Sequence, residues 1–258
     1  TQNQSSAASD VYKRQRMVFA RAHQAWVSQR NTLAWDVVLL DFETGEEQVL
    51  AKGATAPNWI NTNEVSYLLD GQKVVRHNVA TGKTDLVLVP GRDNRLPASA
   101  KLQNPHVDPQ SGEVSFTGRQ NEIGSPHGHW GTALTNHSAI QPVLEGCELR
   151  WWQDGSGLYQ VTKGGRDDGL RIVSVSTDTL EPTTLIDLAG EFSHEYWPIE
   201  SNDGRYMVFG ASRGKHAHEH DVADYEIFLW RRGSDPSTAT RLTFHSGNDN
   251  WPSVYIEE

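Results

Sequence analysis

The stretch from His194 to Arg213, HEYWPIESNDGRYMVFGASR, constrains the chain more than any other. Glu195-Tyr196-Trp197-Pro198-Ile199 is an extended piece, and Tyr206-Met207-Val208-Phe209 is an apolar run of strand type. Between them, Asn202-Asp203-Gly204 is a turn: Asn and Asp hydrogen-bond their own backbone, and Gly accepts a positive φ. The same strand–turn–strand unit recurs. Pro57 to Ile60 leads through Asn61-Thr62-Asn63 to Val65–Leu68, and Pro105 to Val107 through Pro109–Gly112 to Val114–Phe116. Arg150 to Trp152 leads through Asp154–Gly157 to Leu158–Val161. Trp251 to Ile256 is a last first strand, at the end of the sequence.

A second hairpin follows each unit, as in Val74 to Asn78 with Leu86 to Leu88, or Tyr225 to Trp230 with Thr240 to Thr243. Four strands in roughly 44 to 57 residues is the period of a β-propeller blade. No segment shows a capped 3.6-residue period, so very little helix is expected. The region from Met17 to Val49 supplies only three strands. The expected fold is therefore all-β: a β-propeller of five four-stranded blades, with the C-terminal strand completing the N-terminal blade. The alternative is part of a six- to eight-bladed ring. Proline at positions 57, 105, 198 and 252 suits an innermost strand with a free edge.

Bulk properties agree. Nine Trp, seven Tyr and seven Phe in 258 residues accompany many Val, Thr and Gly. No apolar run approaches the roughly 18 residues of a membrane helix. A net charge of −10 argues against a nucleic-acid partner, which needs a clustered basic face. The single cysteine, Cys147, heads a strand pattern and reads as a small buried residue rather than a nucleophile. Residues 1–15 are polar and without period, and are set apart as a tail that is disordered or of artefactual origin. Part of it, Ser6 to Gln15, resembles a translated sequencing adapter, in which case a signal peptide or further repeats would precede it. Residues 16–258 are expected to form a single domain.

Pro198 to Arg213, followed by Tyr225-Glu226-Ile227-Phe228-Leu229-Trp230 and Arg241-Leu242-Thr243, resembles the TolB-type, WD-like β-propeller repeat. Asp154-Gly155 and Ser111-Gly112 keep that repeat's turn, whereas the unit at 54–91 lacks its glycine. The resemblance covers nearly everything beyond Gln15 and implies fold more than function. The repeat occurs in periplasmic scaffold proteins, in the propellers of prolyl-oligopeptidase relatives and in oligogalacturonate lyases. It implies a periplasmic or extracellular location.

Strand polarity places short turns on one face and long loops on the other, and long loops on a rigid scaffold are where function concentrates. The histidines gather there. Lys215-His216-Ala217-His218-Glu219-His220-Asp221 puts three imidazoles on one side if extended, and His194 and Glu195 enter the same blade. His194, Glu195, His216, His218 and His220 are therefore candidate ligands of a divalent metal ion, though no standard zinc spacing is present. Trp130, Trp197, Trp251, Asp249 and Arg213 are candidate ligand-binding residues: indole rings stack on sugars or peptides, carboxylates fix hydrogen bonds, and arginine pairs with carboxylates. No phosphate loop is present. Two functions are expected from these residues. The first is a non-catalytic, monomeric binding or scaffold module for a protein or oligosaccharide. The second is a metal-assisted lyase or hydrolase acting on an acidic oligosaccharide, with Arg213 pairing the substrate's carboxylate.

Overall fold

The computed structural model describes residues 16–23, 34–92, 96–124, 130–136, 139–213, 224–244, 247, 249 and 251–256. Strands dominate. The first sheet is β1 (Arg16–Ala22), β2 (Trp35–Asp41) and β3 (Glu47–Lys52). The second is β4 (Ala54–Asn61), β5 (Glu64–Leu69), β6 (Lys73–Asn78) and β7 (Thr84–Leu88). The third is β8 (Gln103–Val107), β9 (Val114–Arg119), β10 (Trp130–Asn136) and β11 (Ala139–Glu145). The fourth is β12 (Cys147–Trp151), β13 (Leu158–Lys163), β14 (Leu170–Val175) and β15 (Pro182–Ile186). The fifth is β16 (His194–Glu200), β17 (Tyr206–Ser212), β18 (Tyr225–Arg231) and β19 (Thr240–Arg241). The one α-helical turn among the described residues, α1, covers Gln120–Ile123.

Each sheet is an antiparallel meander, with tight turns closing hairpins such as β4–β5 and β6–β7. Where the glycine turn is missing, Asn61 replaces it: its Oδ1 accepts from the backbone N–H groups of Asn63 and Glu64, both at 3.0 Å. Strands of adjacent faces close four separate apolar cores, one between each pair of successive sheets. Val37, Ala54, Val65 and Tyr67 form the first, and Leu68, Val74, Val107 and Phe116 the second. Leu134, Leu149, Trp151 and Val173 form the third, and Ile172, Ile186, Met207 and Phe209 the fourth. Each fully buried side chain of this kind contributes about 1.5–3 kcal/mol.

The first strand of every four-stranded sheet carries the same irregularity. Pairing skips two residues, from Thr55 to Asn58, Gln103 to His106, Cys147 to Arg150 and Tyr196 to Ile199. At the skip stands a non-glycine residue of left-handed φ: Ala56 (50°), Asn104 (46°), Glu148 (59°) and Trp197 (49°). The following residue is Pro57, Pro105, Leu149 or Pro198, where a bulge leaves no ladder bond for a proline to miss. Trp251, before Pro252, has the same backbone, with φ of 51°.

The C-terminal segment thus has the conformation of a first strand, but the expected closure is not seen. β1 is hydrogen-bonded to β2 alone among the described strands, and residues 251–256 carry no ladder. Their backbone instead meets the fifth sheet's turn: Ile256 N–H donates to Asn202 Oδ1 at 2.7 Å, and Asn202 Nδ2 donates to Ile256 O at 3.1 Å. The two side-chain bonds occupy this backbone at the turn, not along β1.

The fourth and fifth sheets are joined into one eight-stranded sheet by a single parallel contact, Leu170 opposite His194, with Leu170 N–H donating to Ser193 O at 3.1 Å. Gly169 makes this approach feasible, since a Cβ there would lie 1.8 Å from Ser193 O.

Candidate functional site

The aromatic corner of the fifth sheet is built from β16, β17 and β18. Trp197 is 3% exposed and stands at the bulge of β16. Its ring centroid lies 4.9 Å from Tyr196, 4.7 Å from Tyr225 and 5.3 Å from Trp251. Trp251 is 49% exposed, so it presents one ring to solvent while the other side rests on Trp197. Asp249 joins the corner through its backbone, donating to Tyr225 O at 3.0 Å. Of the expected binding residues, the structure brings together Trp197, Trp251 and Asp249.

The other two stand elsewhere. Trp130 opens β10 of the third sheet, with the Arg119 guanidinium 5.7 Å from its ring. Arg213 pairs with Glu191 at 2.9 Å and lies over Phe192 at 5.2 Å, so a ligand carboxylate would compete with a partner already in place.

The expected metal ligands divide. His194 lies opposite Ser212 and Glu195 opposite Ala211 in the ladder, so the two side chains point to opposite faces of the sheet. His216, His218 and His220 lie outside the described residues. Among the described residues no group of three or more His, Cys, Asp or Glu side chains is arranged to hold a metal ion. Glu195 is wholly buried, and its carboxylate accepts from Leu188 N–H. Burial pushes its carboxyl up to about 8, with the neighbouring Asp187 charge adding to the rise. It is a protonated, neutral group at pH 7. Cys147 sits with Sγ 2.9 Å from Tyr196 Oη, and burial pushes its thiol up to about 12, which removes the thiolate a nucleophile needs.

A polar cluster that sequence reasoning missed lies where the first strands converge. Arg150 on β12 donates from Nη1 to Asn58 Oδ1 on β4 at 2.8 Å, reaching past β8. Asn104 on β8 donates to Glu148 Oε1 at 2.5 Å, and Arg150 Nη2 stands 3.6 Å from Glu148 Oε2. His106 accepts at Nδ1 from the Trp151 N–H at 3.3 Å, which puts its proton on Nε2. Burial, and then the Arg150 charge, push this imidazole down to about 3, so it is neutral. Asn58, His106 and Arg150 occupy the same position of three successive units, two residues beyond the left-handed one. That alignment was available in the sequence; the convergence was not.

On the short-turn side, Arg232 clamps the fourth sheet to the fifth. It bonds Asp154 at 2.8 Å, Glu200 at 3.2 Å and Ser156 at 2.9 Å, and lies 4.1 Å over the Trp152 ring.

No family model matches the sequence. No curated protein matches it either. Solved structures do. TolB from Acinetobacter baumannii superposes with a TM-score of 0.63 at 12% identity, over 90% of this chain and 53% of that one. A TolB from Agrobacterium tumefaciens gives 0.55 at 19% identity, over 80% of this chain and 68% of that one. The fold is that of a TolB-like β-propeller. The chain spans about half the length of the A. baumannii TolB. The oligogalacturonate lyase of Vibrio parahaemolyticus gives a TM-score of only 0.46 at 12% identity, over 89% of this chain and 80% of that one. At such identities the likeness extends to the TolB-like scaffold and stops there.

Proposed function

We propose that this TolB-like propeller is a non-catalytic binding module, and that its ligand, a protein or an oligosaccharide, lays an apolar face on Trp251. The observation that supports this is the half-exposed Trp251 ring backed by the buried Trp197. A rigid aromatic platform loses little side-chain entropy on binding, and Asp249 beside it can fix orientation by hydrogen bonding. The resemblance to the TolB-type repeat favours a periplasmic or extracellular setting. The lyase or hydrolase alternative has no comparable support: Glu195 is buried and turned away from His194, and Arg213 is engaged by Glu191.

The test is a glycan-array screen followed by tryptophan-fluorescence titration of the best neutral oligosaccharide. Binding that falls at least tenfold in Trp251→Ala, with an unchanged unfolding midpoint, supports the platform. Binding that persists in Trp251→Ala refutes it. If no glycan binds while a protein partner is lost on the same substitution, the ligand is a protein.

A further inference from the structure

β1 is laid bare where its counterparts are covered. The second strands of the other four sheets, β5, β9, β13 and β17, are buried along most of their length. None of the seven residues of β1 is buried, and Met17 is 40% exposed. Its edge is open as well. His23 N–H donates to Ala34 O, so the alternation of an antiparallel ladder turns the backbone groups of Met17, Phe19 and Arg21 toward β2. The N–H and C=O of Arg16 and Val18 face away from β2, along an edge that can template another strand. Residues 251–256 have the matching form. They carry the left-handed residue and the proline of a first strand, and their exposure alternates residue by residue as a strand's does. Yet Ser253, Val254 and Tyr255 make no backbone hydrogen bond among the described residues.

We propose that β1 takes up residues 251–256 of a second copy of this chain as its first strand. The occupant is another copy because a chain's own segment is fastened to its own fifth sheet at both ends, by Trp251 on Trp197 and by Ile256 on Asn202, and is not paired with its own β1. The register follows from the complete sheets. There the residue two beyond the left-handed one meets the second strand, as Asn58 meets Ser66 and Ile199 meets Val208. Ser66 and Val208 are the third residues of β5 and β17, and Val18 is the third of β1. Ser253 therefore stands opposite Val18, the two exchanging N–H and C=O, and Tyr255 opposite Arg16. The Asn202 bonds use neither Ser253 nor Tyr255 and persist. Edge and segment are different parts of the chain, so the contact is heterologous, and two copies can exchange segments reciprocally. It uses the backbone of Ser253 and does not depend on the reading above.

The test is sedimentation of the whole chain over a hundredfold range of concentration, with amide exchange read at Arg16 and Val18. A dimer should form at the upper end, where both amides should exchange at least tenfold more slowly than in the dilute chain. Ser253 is exposed, and its N–H is engaged by nothing among the described residues. Ser253→Pro should therefore leave the unfolding midpoint of the dilute chain unchanged and weaken the dimer at least tenfold. The proposal is overturned if the chain sediments as a monomer throughout, if the two amides are equally protected at every concentration, or if Ser253→Pro dimerises like the unaltered chain. The comparison of dilute and concentrated unaltered chain decides the matter even if the variant fails to fold.

Discussion

Trp197 lies on the bare backbone of Gly210: a Cβ built at position 210 would stand 3.1 Å from Trp197 Cε3 and 3.4 Å from Tyr225 Cδ1. The absent side chain on β17 is what lets the indole of β16 sit between its own sheet and Trp251. Gly210→Val should push Trp197 off its seat and cost about 1–3 kcal/mol. Denaturant unfolding should show the loss, and Trp251 fluorescence should shift with it.

The left-handed residue at each bulge should respond in the opposite sense. A non-glycine residue in that region costs about 1–2 kcal/mol. Ala56→Gly removes the strain at a φ of 50° and gives back part of it as greater freedom of the unfolded chain. A net stabilisation of about 0.5–1 kcal/mol is expected. A lower unfolding midpoint would show that the bulge is held without strain.

Glu195 makes stability depend on pH. Its folded-state carboxyl titrates at about 8, above the ordinary 4.5, so the folded state binds the proton more tightly. The stabilisation from this group is therefore complete below about pH 4.5 and is lost as pH rises toward 8. The expected slope in that window is on the order of 1 kcal/mol per pH unit. Glu195→Gln keeps an acceptor for Leu188 N–H and should abolish the slope in urea titrations run across the range.

Arg232 tests the clamp between the fourth and fifth sheets. Arg232→Ala removes the cation facing Glu200, whose side chain is 2% exposed, along with the contact over Trp152. The expected cost is about 1–3 kcal/mol, largest at high pH where Glu200 must be charged. Arg232→Lys should recover only part, because a single ammonium cannot serve Asp154, Glu200 and Ser156 together.

The strand–turn–strand units were legible because alternation and turn chemistry are local properties. Pro57, Pro105 and Pro198 marked the first strands correctly. The left-handed residues of these bulges were mostly not legible: of Ala56, Asn104, Glu148 and Trp197, only Asn has any preference for that backbone. Of the candidate binding residues, Trp197, Asp249 and Trp251 lie near one sheet, as their place in the repeat suggested. His194 and Glu195 point to opposite faces, since neighbours in a strand alternate, and that alternation was not applied to the pair in the sequence. The Asn58–Arg150 bond spans two repeats and left no signal in either.

The four cores have a mechanical consequence. Among the described residues no apolar cluster runs through more than one pair of sheets, so each boundary is held by its own side chains. Cohesion is then a sum of nearest-neighbour terms along the array. Damage at one boundary should stay there, and opening should spread by fraying rather than by collapse of the whole. A molecule seated on Trp251 would tighten the joint next to it and leave the amide exchange of the first sheet as it was.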